Sequence, residues 1–298
     1  MAKPPTPDPM KAGDQARAGA VSAATAFAAA DACLVEAIAA TRREAGRAVL
    51  ITLSGSQGSG KSTTAARLAK RLAARDLATQ VCSIDDFYLT KAEREDLARS
   101  RHPLLATRGV PGTHDVALMD ATISALLDGR EVRVTSFDKA ADDRRPQDQW
   151  EVTEGPVDVV LLEGWCVGAR PQPEAALDEP VNELERTEDA GGAWRRAVNA
   201  ALAGEYRTLF ARADLSIMLR APSFDVVHGW RAEQERGLDR SGVGAGKAMS
   251  EAQLRRFISH YERLTRWQLE DVAADVVIDI DEGRVPCAIR FMPGALSD

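Results

Sequence analysis

At residues 55–62 the chain reads GSQGSGKS, a run of flexible backbone that ends in a lysine and a hydroxyl. The run fits G-x-x-x-x-G-K-S/T without a mismatch. An apolar stretch precedes it and a helix-forming stretch follows, which is the setting a phosphate loop requires. Glycines let the backbone of Gly55, Ser56, Gln57, Gly58, Ser59 and Gly60 wrap closely, so that amide N–H groups face phosphate oxygens. The helix that starts there adds its partial positive charge. Lys61 is placed to reach the β- and γ-phosphates and Ser62 to ligate Mg²⁺, with Thr63 next in the first turn. The expected cofactors are ATP and Mg²⁺. A second Gly-rich stretch, GVGAGK at 242–247, lacks a preceding strand and has Ala248 where the hydroxyl belongs. It reads as a linker.

Carboxylates come next. In VDVVLLEG (157–164), Asp158 starts a buried strand and Glu163 ends it, roughly 16 Å apart at strand rise. Ligands of open parallel sheets gather at the carboxyl ends of strands, so Glu163 is the candidate for the metal and Asp158 is not. SIDDFYLT (83–90) places Asp85 and Asp86 where another strand runs out. Either acid could accept a proton from an attacking hydroxyl, or cap the turn that follows.

These groups need a scaffold, and the hydrophobic pattern supplies one. Apolar runs at 48–54, 79–85, 157–164, 215–221 and 275–281, with an alternating run at 131–138, read as strands. Helical stretches lie at 61–75, 115–129, 194–211, 223–239 and 250–272, and the Ala-rich segment 15–47 holds one or two more. Alternation of the two implies an α/β fold, a doubly wound and mainly parallel sheet with helices on both faces. Residues 1–14 are Pro-rich and read as a disordered tail. The rest, 15–298, reads as one domain. Residues 139–156 read as irregular. Residues 168–193, rich in acids and prolines, read as an insertion that is either solvated or a substrate loop.

Composition narrows the function. The 298 residues carry a net charge of −7, which disfavours nucleic acid as a partner. Four scattered cysteines form no CxxC pair, so a reducing, cytoplasmic setting is expected. The pattern holds no apolar run expected to span a bilayer. Oligomeric state leaves no mark on the sequence.

Several stretches together resemble one family: the phosphate loop, SIDDFYLT, HPLLATRGVPGTHDV, FDKAADDRRP, LLEGWCVGARP and WRAEQE. They are similar to the P-loop D-glycerate 3-kinases, within the phosphoribulokinase, uridine kinase and pantothenate kinase superfamily. The resemblance covers roughly residues 30–290. It implies Asp85 as catalytic base, Glu163 as metal-associated acid, and Ser62, Glu163 and Asp85 as the metal's neighbours. It also implies a lid near 222–248 whose Arg231 or Arg236 closes over ATP, and a cation for the carboxylate of a small hydroxy acid. Arg108, Lys139 and Arg144 are candidates for that cation, and Arg offers a planar fork. Asp86, Tyr88 and His114 complete the expected acceptor side, while Asp115 reads as a helix N-cap. Trp230 and Trp267 read as packing residues, and Cys166 stands where a larger apolar residue is expected. The implied reaction is phosphorylation of D-glycerate to 3-phospho-D-glycerate. One rival is a kinase of the same fold acting on a nucleoside or pantothenate. Its larger pocket needs aromatics, and Phe87 and Tyr88 are the two the sequence puts near the site. The other rival is a non-catalytic, nucleotide-binding regulatory protein, with the Ala-rich helix as a partner surface.

Overall fold

The computed structural model describes residues 22–153, 155–240 and 250–292, apart from the side chains of 234–240. The expected tail at 1–14, the 242–247 linker and the Arg236 side chain lie outside the described residues. From its start the chain forms α1 (Ala23–Ala45), β1 (Val49–Gly55), α2 (Lys61–Ala73) and β2 (Thr79–Ser83). A 3-10 turn at Ile84–Phe87 leads to α3 (Lys91–Ser100) and α4 (Val116–Leu127). Four short strands follow: β3 (Val132–Val134), β4 (Phe137–Asp138), β5 (Asp143–Arg144) and β6 (Glu151–Thr153). Then come β7 (Val159–Gly164), α5 (Glu183–Glu188), α6 (Ala193–Ala201), a π turn at Leu202–Tyr206 and α7 (Arg207–Phe210). The chain continues through β8 (Leu215–Arg220), α8 (Asp225–Arg240), α9 (Glu251–Glu270), β9 (Val276–Ile280) and β10 (Pro286–Phe291).

Six strands build the central sheet in the order β10-β9-β8-β1-β7-β2. All its pairings are parallel except β9 with β10. Alternate residues feed two cores. Val49, Ile51 and Leu53 of β1 join Leu34 and Ile38 of α1 and Leu68 of α2 on one face. Leu50, Val160 and Leu162 join Met119 and Ile123 of α4 on the other. This is why β1 and β7 read as unbroken apolar runs: a parallel sheet hides both faces. Register levels the functional edge, with Glu163 paired to Leu53 on one side and to Ser83 on the other.

Some expectations change. The run at 131–138 is not a sheet strand. It breaks into β3, paired with β6, and β4, paired with β5, both antiparallel and outside the main sheet. Its polar alternation suits a ribbon with one wet face, not a doubly covered strand. The partners β5 and β6 come from 139–156, expected to be irregular. β10 went unread; it is an edge strand whose proline stands first, where no ladder N–H is needed. Residues 168–193, read as an insertion, are anchored to the body of the domain. Leu177 and Leu184 are buried, and Glu185, fully buried, pairs with Arg263 of α9 at 2.6 Å.

Over its described residues the Ala-rich segment forms one helix, α1. Ser22 caps it by accepting the Thr25 N–H at 3.2 Å, and Gly46 ends it at φ 62°. Against expectation, α1 is long and apolar enough, by length and composition, to cross a bilayer. Its Leu34, Val35 and Ile38 pack into the sheet's core, and its buried Asp31 pairs with Arg67 and Arg71 of α2. Those contacts give it the role of a core helix.

Candidate functional site

The phosphate loop is shaped by what its glycines make room for. A Cβ on Gly55 would lie 2.7 Å from Ser59 Oγ and 3.1 Å from the Leu219 carbonyl. Gly58 and Gly60 stand at φ +76° and +87°, where side chains are strained. Gly58 also packs directly on Trp230 of α8: a Cβ there would lie 2.6 Å from the Trp230 Cβ. α2 starts at Lys61 with no side-chain cap, so its first-turn N–H groups face outward. The hydroxyls of Ser56 and Ser59 are buried and have no partner among the described residues.

Ser62 Oγ donates to Glu163 Oε1 at 2.8 Å. Glu163 is buried, and its Oε2 has no partner among the described residues. A buried carboxylate oxygen without a partner calls for a donor or a cation. A carboxylate and a hydroxyl at the mouth of a phosphate loop are hard oxygen ligands of the kind Mg²⁺ takes with few protein groups, keeping water and phosphate oxygens for the rest. The residues present therefore fit Mg²⁺.

Across the mouth, the 3-10 turn after β2 carries Asp85. Tyr88 OH donates to its Oδ1 and Lys139 Nζ to its Oδ2, each at 2.7 Å. Burial alone pushes the carboxyl up. The charges of Lys139 and Lys61, with the hydrogen bonds from Lys139 and Tyr88, outweigh that and hold it at about 2. Asp85 is thus ionised at neutral pH. Asp86 points elsewhere: its Oδ1 accepts the Phe137 N–H at 3.2 Å and so anchors β4. Burial raises its pKa.

One cavity of about 180 Å³ joins these groups. Its lining includes Lys61, Ser62, Asp85, Glu163, Lys139 and Arg231. Tyr88 and Arg108 also line it, with Arg108 bonded to Asp142 and lying over the Phe137 ring. A second cavity, about 240 Å³, opens on the other side of Ser59 and Gly60 and is walled by Ile278, Ile280 and Arg284.

Two acceptor-side candidates lie behind the first cavity. Arg144 gives its guanidinium to the Tyr88 carbonyl at 2.9 Å and to Asp115 at 3.2 Å. His114 is buried, stacks on Tyr88 at 4.7 Å and shares a hydrogen bond with Tyr206 OH at 2.7 Å. Burial drops its pKa to about 4. Both therefore support Tyr88 from outside the cavity. Asp115 caps α4, accepting the Leu118 N–H at 2.9 Å.

Three aromatics escaped the sequence reading. Trp165, Phe257 and Tyr261 line the cavity, whereas Phe87 is fully buried in the core. Trp165 donates to the Gly109 carbonyl at 2.8 Å, and Tyr261 OH to the Arg108 carbonyl at 3.1 Å. Trp165 directly follows Glu163-Gly164, a signal that was available. Nothing local marks Phe257 or Tyr261, which come from α9, far along the chain.

Comparison with known proteins gives the family. Residues 50–169 match the model of the Phosphoribulokinase / Uridine kinase family. An uncharacterized kinase of Schizosaccharomyces pombe, mug58, is 33% identical over 226 residues, covering 72% of this chain and 79% of that protein. The chain belongs to the phosphoribulokinase/uridine kinase family. As a family member it is a P-loop kinase, a phosphotransferase. The chloroplastic D-glycerate 3-kinase of Arabidopsis thaliana is 29% identical over 259 residues, 80% of this chain; the match spans about half (54%) of that protein. In fold, the chain is similar to the structure of D-glycerate 3-kinase from Cryptococcus neoformans var. grubii. The TM-score is 0.74 at 22% identity, over 88% of this chain and 99% of that one.

Proposed function

We propose that the protein transfers the γ-phosphoryl group of ATP to a hydroxyl of a small hydroxy acid, D-glycerate, giving 3-phospho-D-glycerate. The observation that carries this is an ionised Asp85 sharing one cavity with Lys61, Ser62 and Glu163. A proton acceptor opposite a phosphate loop is the arrangement phosphoryl transfer to an alcohol needs. Three cations besides Lys61, namely Arg108, Lys139 and Arg231, line the same cavity, which favours an anionic acceptor over a nucleoside. The choice of glycerate, and of its primary hydroxyl, rests on the similarity to the two named glycerate kinases.

Mg·ATP, when bound, supplies the transferable phosphoryl group and neutralises charge on its oxygens. Ser62 and Glu163 would hold the metal. The residues of the chain do the rest. Loop amides and the N-terminus of α2 bind phosphate oxygens. Asp85 orients the acceptor hydroxyl and takes its proton. Lys61 and Arg231 face the charge that develops in transfer. Arg108 binds the acceptor carboxylate, and the Tyr88 hydroxyl holds Asp85 through Oδ1. Trp165, Phe257 and Tyr261 wall the cavity against water. Asp86 has a positioning role through Phe137. The partner class is a small molecule, not nucleic acid.

The test is ADP release by purified protein with Mg·ATP alone and with D-glycerate, uridine or pantothenate. A large rise with D-glycerate alone is expected. A rise with uridine or pantothenate moves the acceptor. ATP binding with no rise for any of them rejects these three acceptors and leaves either another acceptor or a nucleotide-binding regulator.

A further inference from the structure

Lys139 stands at the tip of the β4–β5 hairpin, and the hairpin's backbone is tied down on every side. Asp138 Oδ1 accepts the N–H groups of Ala140 and Ala141 at 2.9 and 3.1 Å, closing the turn. Asp142 completes it at φ 57°. Asp86 holds the Phe137 N–H, Arg94 reaches the Asp142 carbonyl at 2.7 Å, and Asp143 accepts the Lys91 N–H at 3.0 Å. Arg108 bonds Asp142 and approaches the Lys139 carbonyl at 3.4 Å.

The Lys139 side chain differs from its backbone. It is 62% exposed, and its ammonium pairs with Asp85 Oδ2 at 2.7 Å. A fixed backbone thus presents a long, wet arm whose ammonium covers one oxygen of the proton acceptor. An ammonium at 2.7 Å from that oxygen occupies the place an acceptor hydroxyl must take to give up its proton there. A partly exposed pair of this kind is easily exchanged for another anion.

We propose that Lys139 is a latch on Asp85, released by the negative charge of the acceptor, so that the site turns over on hydroxy acids and spares water. This rests on the kinase reading above. In the resting state Lys139 acts through Asp85. When an acid enters beside Arg108, its carboxylate takes the ammonium, and Oδ2 faces the acceptor hydroxyl. The hydroxyl oxygen then bonds to the γ-phosphorus. The bond from that phosphorus to the bridging oxygen breaks, ADP keeps the electron pair, and the proton goes to Asp85. Water could make and break the same bonds, giving inorganic phosphate, but it brings no charge and leaves the latch closed.

The experiment compares wild type, Lys139→Gln and Lys139→Arg, each first checked for unchanged ATP affinity as proof of folding. ADP release is measured with Mg·ATP alone, then with D-glycerate and with glycerol, its uncharged counterpart. Lys139→Gln is expected to raise acceptor-free ADP release roughly fivefold, the weight of one partly exposed ion pair. It should also narrow the preference for D-glycerate over glycerol, and Lys139→Arg should restore both. Acceptor-free release that stays unchanged or falls in Lys139→Gln overturns the latch. A wild type that ignores D-glycerate rejects the acceptor proposed above, while the acceptor-free comparison still decides the latch.

Discussion

Ser62 and Glu163 are 101 positions apart, yet the serine hydroxyl rests on the glutamate carboxylate at 2.8 Å. The parallel register makes this contact. β1 delivers the loop that ends in Ser62, and β7, its hydrogen-bonded neighbour, ends one residue past Glu163. Glu163→Gln keeps the shape and removes the charge. The Mg²⁺ concentration for half-maximal ADP release should rise about tenfold, in line with losses of a charged metal partner. A Mg²⁺ titration of both proteins checks this, and superimposable curves would take Glu163 out of the metal site.

Asp85→Asn should bind ATP as wild type does and lose most of kcat. It also has a pH signature. The native carboxyl sits at about 2, below its ordinary 3.8, so its ionised form stabilises the fold. That contribution is complete above the unfolded value and fades as pH falls from about 4 toward 2. Denaturant melts should therefore show a stability gap between wild type and variant at pH 7 that shrinks below pH 4. A gap independent of pH would contradict the ionised assignment.

Arg108→Lys retains the charge and loses the fork. If the guanidinium binds an acceptor carboxylate, KM for D-glycerate should rise by roughly tenfold with kcat little changed. Initial-rate kinetics separate the two constants, and an unaffected KM would place Arg108 outside the acceptor contact.

Gly58→Ala adds one methyl where there is no room: the Trp230 Cβ would be 2.6 Å away, and φ is +76°. Strain of this kind costs about 1–3 kcal/mol. A lower melting temperature and weaker ATP binding are expected together, because the same backbone serves both.

Glu185→Gln probes the fold away from the site. It leaves Arg263, almost wholly buried, facing an uncharged partner. Breaking a buried pair costs about 3–5 kcal/mol. Denaturant melts should show that loss, while kcat per folded molecule stays at the wild-type value.

The phosphate loop was legible because its chemistry is local: glycines, Lys61 and Ser62 are consecutive. Glu163 and Asp85 were legible at one remove, since both follow apolar runs and strand ends face the ligand edge. The cavity's aromatic wall was not. Phe257 and Tyr261 sit on an amphipathic helix whose pattern gives burial and not destination. His114 and Arg144 fell in suggestive stretches, but their hydrogen bonds turn them toward Tyr206 and the Tyr88 carbonyl. The break between β3 and β4 was hidden because alternation in 131–138 fits a ribbon as well as a sheet strand. The edge strand β10 begins with proline and is half exposed, so it lacks the signal of its buried neighbours.

Trp230 packs against Gly58, donates its indole N–H to the Glu282 carbonyl at 2.8 Å, and lies beneath the Arg284 guanidinium. Trp165 lines the other cavity, beside Asp85. The molecule thus carries one intrinsic fluorophore against the phosphate loop and another in the cavity that holds Asp85. With the other four of the chain's five tryptophans replaced, the emission of each of these two reports on its own side of the site, without a label and before any bond is made.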